Sequence, residues 1–193
     1  LKGIDLAIQA VEKFAEDTGA RVQLHLRGAD SKLTSEEFRK ALESGMTQAL
    51  IARKMESLVD IAPEGFATPS QLCTQMQKMH LVLVPSRHEP FGLVALEAIA
   101  AQRPVLISSI SGAAEFLKDH FELLAGPMIV PTPADKRSAM AVQNWCSEIR
   151  NVYQNGKLAL ERARLLSTEI QKQWAASPPL QASLKDLLEP PSS

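Results

Sequence analysis

The sequence predicts an α/β domain: a Rossmann-like, doubly wound parallel sheet with helices on both faces. Three observations carry this. Short apolar runs rich in Val, Leu and Ile recur along the chain, stretches of helical period separate them, and Gly or Pro stands at most of the changes. Strands alternating with helices of ~10–20 residues imply βαβ units, which pack as a parallel sheet covered on both sides. A chain of 193 residues suits one domain of the usual ~100–200 residues. Such a chain buries ~70% of its unfolded surface, so no metal or disulfide staple is needed.

The elements follow in order. Ile4, Leu6, Ala7, Ile8, Ala10, Val11 and Phe14 fall on one helical face, and Gly19 stands where that helix should close. Residues Arg21 to Arg27 alternate with period two and stop at Gly28, as a strand feeding a turn would. Thr34-Ser35-Glu36-Glu37 has the form of a capping box and predicts a charged helix to about Ser57. Leu58 to Ala62 is the next strand, ended by Pro63-Glu64-Gly65, and Thr68-Pro69-Ser70 opens a helix with Pro in its first turn. His80-Leu81-Val82-Leu83-Val84-Pro85 is the most apolar run and reads as a parallel strand buried on both faces. Phe91 to Ala101 is helical in composition, Pro104 to Ser108 is a second buried strand, and Met128 to Pro131 a last short one. From Asp135 onward the pattern is helical, with breaks at Asn155-Gly156 and Ser177-Pro178-Pro179. The domain is therefore expected over 1–176, with a C-terminal helix and Pro/Ser tail over 177–193.

Composition removes several classes of function. The 21 basic and 22 acidic side chains are interspersed and give a net charge of −1, which offers nucleic acid or an anionic membrane no electrostatic footprint. No apolar run approaches the ~20 residues of a membrane span, and nothing at the start reads as a signal peptide. Cys73 and Cys146 lack CxxC spacing and partner histidines, so both are expected as buried apolar filler in a reducing, cytoplasmic setting, with no metal site. The chain opens at Leu1 and closes in a Pro/Ser tail, and is expected to be a piece of something longer.

Ligands of open parallel sheets sit beyond the carboxyl ends of the strands, so the residues after each apolar run are the informative ones. The densest stretch is Pro85-Ser86-Arg87-His88-Glu89-Pro90-Phe91-Gly92-Leu93-Val94-Ala95-Leu96-Glu97. It sets one carboxylate in a strand-to-helix loop and a second along the helix. Gly92 falls in the first turn, where backbone N–H groups lack intrahelical partners and the dipole favours an anion. Such a start can hold a phosphate, and a glycine lets the ligand come close to the backbone.

Glu89-Pro90-Phe91-Gly92-Leu93-Val94-Ala95-Leu96-Glu97 closely resembles the E-x7-E motif of the group-1 retaining glycosyltransferases, which have the two-Rossmann GT-B fold. Gln102-Arg103-Pro104-Val105 resembles that family's G-x-P-V continuation, Gly112-Ala113-Ala114-Glu115 its G-G-x-x-E, and Lys2-Gly3-Ile4-Asp5 its K-G-x-D. The resemblance covers most of the chain in the right order and implies the C-terminal, donor-binding half of a GT-B architecture.

The resemblance implies roles residue by residue. Glu89 would hydrogen-bond donor-sugar hydroxyls, and the amides of Phe91, Gly92, Leu93 and Val94 would meet sugar and diphosphate. Glu97 would accept from the ribose hydroxyls, and Lys2 would neutralise the diphosphate leaving group in place of a metal. Arg27-Gly28 and Ala62-Pro63-Glu64 would frame the nucleobase, with Gly112 beside the sugar. Glu89 and Lys2 are thus the expected catalytic pair, no cofactor or metal is expected, and the donor is expected to be a UDP-sugar such as UDP-glucose or UDP-N-acetylglucosamine. The expected partners are this nucleotide-sugar and an N-terminal acceptor-binding domain or other domains of the same chain. Retaining chemistry of this kind depends on stabilising the departing diphosphate, so no catalytic triad is expected.

Departures from the pattern are visible. The family's arginine about five residues before its lysine would fall ahead of Leu1 and so outside this sequence. Ser111 stands where the first glycine of G-G is common, which is expected to narrow backbone freedom beside the sugar. Gln102 replaces a glycine at a turn that would need φ > 0, and Ala29-Asp30 replace the second glycine after Gly28. Among neighbouring residues, Arg87 and His88 could touch sugar or acceptor, Glu115 should cap the helix after Gly112, His80 is structural, and Trp145 and Trp174 are packing residues. A non-catalytic nucleotide-sugar-binding or interaction module of a larger protein stays open as the alternative to an enzyme. A dinucleotide oxidoreductase is disfavoured because no GxGxxG follows a strand.

Overall fold

The computed structural model describes residues 2–27, 58–65, 67–133, 135 and 138–175. The helix and charged segment expected over 34–57 lie outside the described residues, as do Gly28 and the tail 177–193.

Helical period produces α1, Ile4–Thr18, whose buried face is Leu6, Ala7, Ile8, Ala10, Val11, Phe14 and Ala15. Gly19 ends it in the left-handed conformation, φ 69°, with its N–H donated to the Ala15 carbonyl. β1 is Val22–Arg27 and β2 is Val59–Glu64, paired parallel from Val22 opposite Val59 to Arg27 opposite Glu64. The strand expected to end at Pro63 instead continues through it. Among the described residues β2 pairs with β1 alone, and a proline is tolerated in a strand bonded on one side. Thr68 then opens α2, Pro69–Met76, with the reciprocal box in which its hydroxyl accepts from the Gln71 N–H and its own N–H is donated to the Gln71 side chain.

The second half holds β3, Val82–Val84; α3, Leu93–Ala100; β4, Val105–Ser108; and α4, Gly112–Ala125. A 3-10 turn at Gly126–Met128 leads to β5, Ile129–Val130. α5, Ala139–Gln154, and α6, Gly156–Ala175, complete it. β3, β4 and β5 form a parallel sheet in that order, and β1 with β2 a separate parallel ladder.

The strand period of two sorts the core. Val105 and Ile107 point into one cluster with Ala98, Ile99, Leu117 and Leu166, contributed by α3, α4 and α6. Leu106 points the other way, into a cluster with Leu6, Phe14, Trp145 and Ile149 from α1 and α5. Helices therefore cover both faces, as the sequence predicts. Trp145 is fully buried and satisfies its indole N–H on the Thr132 hydroxyl at 3.0 Å.

Several expectations are corrected. β3 is not the most buried strand: only Val84 is buried, whereas all four residues of β4 are. Among the described residues β4 has a strand neighbour on each side and β3 one, so apolar composition overstated the burial of β3. His80 precedes that strand and is exposed. Trp174, in the last turn of α6, is 39% exposed and is not a core residue. Cys146 is buried but Cys73 is exposed, because Leu72 and Met76 occupy the inward face of α2. Among the described residues no helix is long and apolar enough to cross a membrane.

Candidate functional site

The site is assembled where the start of α1 meets the loop after β3. Gly3 has φ 71°, and a Cβ there would collide with the Pro85 carbonyl oxygen, so the two backbones touch. Two ion pairs join the same segments. Lys2 Nζ donates to Glu89 Oε2 at 2.5 Å, and Arg87 Nη1 donates to both Asp5 oxygens at 2.6 and 2.8 Å. The Lys2 hydrogen bond, opposed by partial burial, holds the Glu89 carboxyl below the usual carboxylate range, and the Ser86 hydroxyl at 3.4 Å assists. Glu89 is thus an anion with a cation already seated on it.

The loop then turns into α3. Gly92, at φ 97°, is its N-cap and supplies no side-chain cap. Among the described residues the N–H groups of Phe91, Gly92, Leu93 and Val94 have no hydrogen-bond partner, which is the arrangement an anion can use. Glu97 lies one turn along, exposed and with no side-chain partner among the described residues. Phe91, Leu93 and Val94 are exposed beside this opening.

α4 supports the loop from behind. The N–H of Gly112 is donated to the Glu89 carbonyl at 3.3 Å and that of Ala113 to the Phe91 carbonyl at 2.7 Å. A Cβ on Gly112 would collide with the Pro90 carbonyl oxygen. The cap of this helix is Ser111 and not Glu115: the Ser111 hydroxyl accepts from the Ala114 N–H and donates to the Ser108 carbonyl at 2.9 Å. Ser111 has ordinary extended dihedrals, φ −101° and ψ 147°, so the serine restricts nothing that a glycine would free. Gln102 does take φ 56°, as its replacement of a glycine implied.

A second polar group lies at the ends of β1 and β2. Arg27, Glu64, Gly65, Ser70, Gln71 and Gln75 line a cavity of about 420 Å³. Arg27 donates to the Gly65 carbonyl, to Glu64 and to Gln75. His25 lies 2.9 Å from Glu64, and that contact is the main reason the Glu64 carboxyl sits below its ordinary range. Pro63 pairs by backbone opposite Leu26 at this end.

Of the sequence-predicted residues, the structure brings Lys2 to Glu89, Gly112 to the Glu89–Phe91 loop, and Arg27 to Glu64. Among the described residues the Glu97 side chain has no partner and no hydrogen bond or ion pair joins the Arg27 group to the Glu89 group, and Gly28 lies outside the described residues. Sequence reasoning missed Gln75 and His25, whose partners are set by strand register, and the pairing of Asp5 with Arg87. Asp5 had a local signal, since it closes the Lys2-Gly3-Ile4-Asp5 segment. Among the described residues no three of His, Cys, Asp or Glu group as a metal site would require.

Over 117 residues the chain is 33% identical to an uncharacterized glycosyltransferase of Methanocaldococcus jannaschii, covering 61% of this chain and 26% of that protein. It is 32% identical over 122 residues to the D-inositol 3-phosphate glycosyltransferase of Geodermatophilus obscurus, covering 62% and 26%. The matched region thus spans about a quarter of these relatives. Sucrose-phosphate synthase from Thermosynechococcus elongatus shares the fold, with a TM-score of 0.67, 21% identity, and coverage of 97% of this chain and 42% of that one. The family model for family 4 glycosyltransferases in conflict systems matches residues 1–178. A match over that length shows that the chain belongs to the family 4 glycosyltransferases of conflict systems.

Proposed function

We propose that this chain is the donor-binding half of a retaining glycosyltransferase and holds a nucleoside-diphosphate sugar beyond the ends of β3 and β4. The observation that carries the reading is the N-terminus of α3, whose N–H groups have no partner among the described residues, flanked by the Lys2-paired Glu89 on one side and on the other by Glu97, likewise without a side-chain partner among them. The diphosphate would accept from the N–H groups of Phe91 to Val94. Glu97 would accept from the two ribose hydroxyls, and Glu89 would orient the sugar. Lys2 would carry the charge that develops on the departing diphosphate, work that elsewhere falls to a metal ion. Arg27, Pro63 and Glu64 would frame the base, and Gly112 would keep the Glu89 loop against the sugar. The default donor is a UDP-hexose. The acceptor would be held by a separate N-terminal domain, and the free thiols of Cys73 and Cys146 suit a cytoplasmic setting.

The test is calorimetric titration with UDP, GDP, ADP, UDP-glucose and UDP-N-acetylglucosamine. One of them should bind, Glu97→Ala should weaken the nucleotide itself, and Glu89→Ala should mainly erase discrimination between nucleotide and nucleotide-sugar. No binding of any of the five at millimolar concentration would overturn the reading.

A further inference from the structure

We propose that the Asp5–Arg87 ion pair is a positioning device that presents Lys2 to Glu89 across the mouth of the site. Lys2 cannot find that place unaided. Its side chain is 69% exposed, and a lysine has many rotamers and no planar fork to fix its direction. What is fixed is the backbone from which it projects. Asp5 stands in the first turn of α1, three residues after Lys2, and Arg87 stands two residues before Glu89. A bond between Asp5 and Arg87 therefore sets the register of the two segments that carry the site pair. The Arg87 side chain is only 8% exposed, so its stem is held by packing while one nitrogen reaches both Asp5 oxygens. The contact of Gly3 with Pro85 closes the distance between the same segments. Neither Asp5 nor Arg87 needs to touch a donor to act in this way. The geometric proposal stands without the donor-site reading, and only its consequence for transfer rests on it.

The sign of one titration separates positioning from simple proximity of charge. Asp5 is an anion, so through space alone its removal would make Glu89 easier to ionise and lower its midpoint. If Asp5 acts by holding Lys2 in place, its removal frees Lys2 and raises the midpoint. The carboxyl carbon of Glu89 is followed by NMR against pH in the wild-type chain, Lys2→Met, Asp5→Asn and Arg87→Lys. Lys2→Met sets the scale by returning Glu89 toward the ordinary carboxylate range. Asp5→Asn should raise the midpoint by at least half as much, with the amide spectrum of a folded domain retained. Arg87→Lys, which keeps the positive charge near Glu89 and alters only the geometry, should also raise it and serves alone if Asp5→Asn does not fold. A midpoint unchanged or lowered in the folded variants overturns the proposal. The measurement needs no nucleotide, so failure of UDP binding would sink the donor reading and leave this result standing.

Discussion

The two strand-to-helix turns of the β3–β4 region begin alike and end in opposite states. After β3 the chain reaches a glycine N-cap, and the N–H groups of Phe91 to Val94 have no partner among the described residues. After β4 it reaches Ser111, and every early N–H of α4 is occupied: Gly112 and Ala113 bond the carbonyls of Glu89 and Phe91, Ala114 bonds the Ser111 hydroxyl, and Glu115 the Ser111 carbonyl. Ser111 is 3% exposed, while Leu93 is 65% exposed. One turn is closed on itself, and its binding capacity goes into holding the other open. A helix start is therefore an anion site only where the fold leaves it unsatisfied, and here the saturated helix supplies the rigidity that the open one lacks.

Changes at the closed turn should be felt at the open one. The largest effect is expected from Gly112→Ala, whose methyl would meet the Pro90 carbonyl; overpacking of this kind costs about 2–3 kcal/mol, measured by urea unfolding, and should abolish nucleotide binding with it. Glu97→Gln should behave the opposite way. With no partner to lose among the described residues, it should leave stability within about 0.5 kcal/mol and weaken the proposed nucleotide by roughly 10–100-fold, the loss of a hydrogen bond to a charged group. Ser111→Ala removes the cap and should cost about 1 kcal/mol in the same unfolding experiment. The smallest effect is expected from Lys2→Met. The Glu89 carboxyl is depressed in the folded chain, so its contribution is present above its unfolded pKa and disappears as pH falls through the folded one. The stability difference between wild type and Lys2→Met should then vanish on the acid side of the ordinary carboxylate range. With Lys2 largely in water, that difference should stay below about 1 kcal/mol even at neutral pH.

Much of this was legible in the sequence because its causes are local. The period of Leu6, Ala10, Val11 and Phe14, the helix end at Gly19 and the helix start at Thr68-Pro69 each depend on residues within one turn of one another. The Glu89 to Glu97 string also marked the candidate site, since loop carboxylate, glycine and helix carboxylate follow one another in the chain. Burial was less legible where it depends on neighbours. Leu81, Val82 and Leu83 are as apolar as the β4 strand yet only partly buried, because composition does not say how many strands flank a strand. Trp174, at 39% exposure, misled for a related reason: helical spacing among apolar residues does not by itself show that a side chain is buried.

The amino-acid order thus settled the α/β class and helix ends such as those at Gly19 and Thr68, which follow from backbone preferences and short-range periodicity. Tertiary structure alone decided which charges meet. Lys2 with Glu89 spans 87 positions and Arg87 with Asp5 spans 82, and such pairs exist only after the strands have registered and α1 has docked. The same holds for the choice of Ser111 over Glu115 as cap and for the open state of the Gly92 turn. Whether a polar group is satisfied is a property of the space around it, and that space is built by residues far away in the chain.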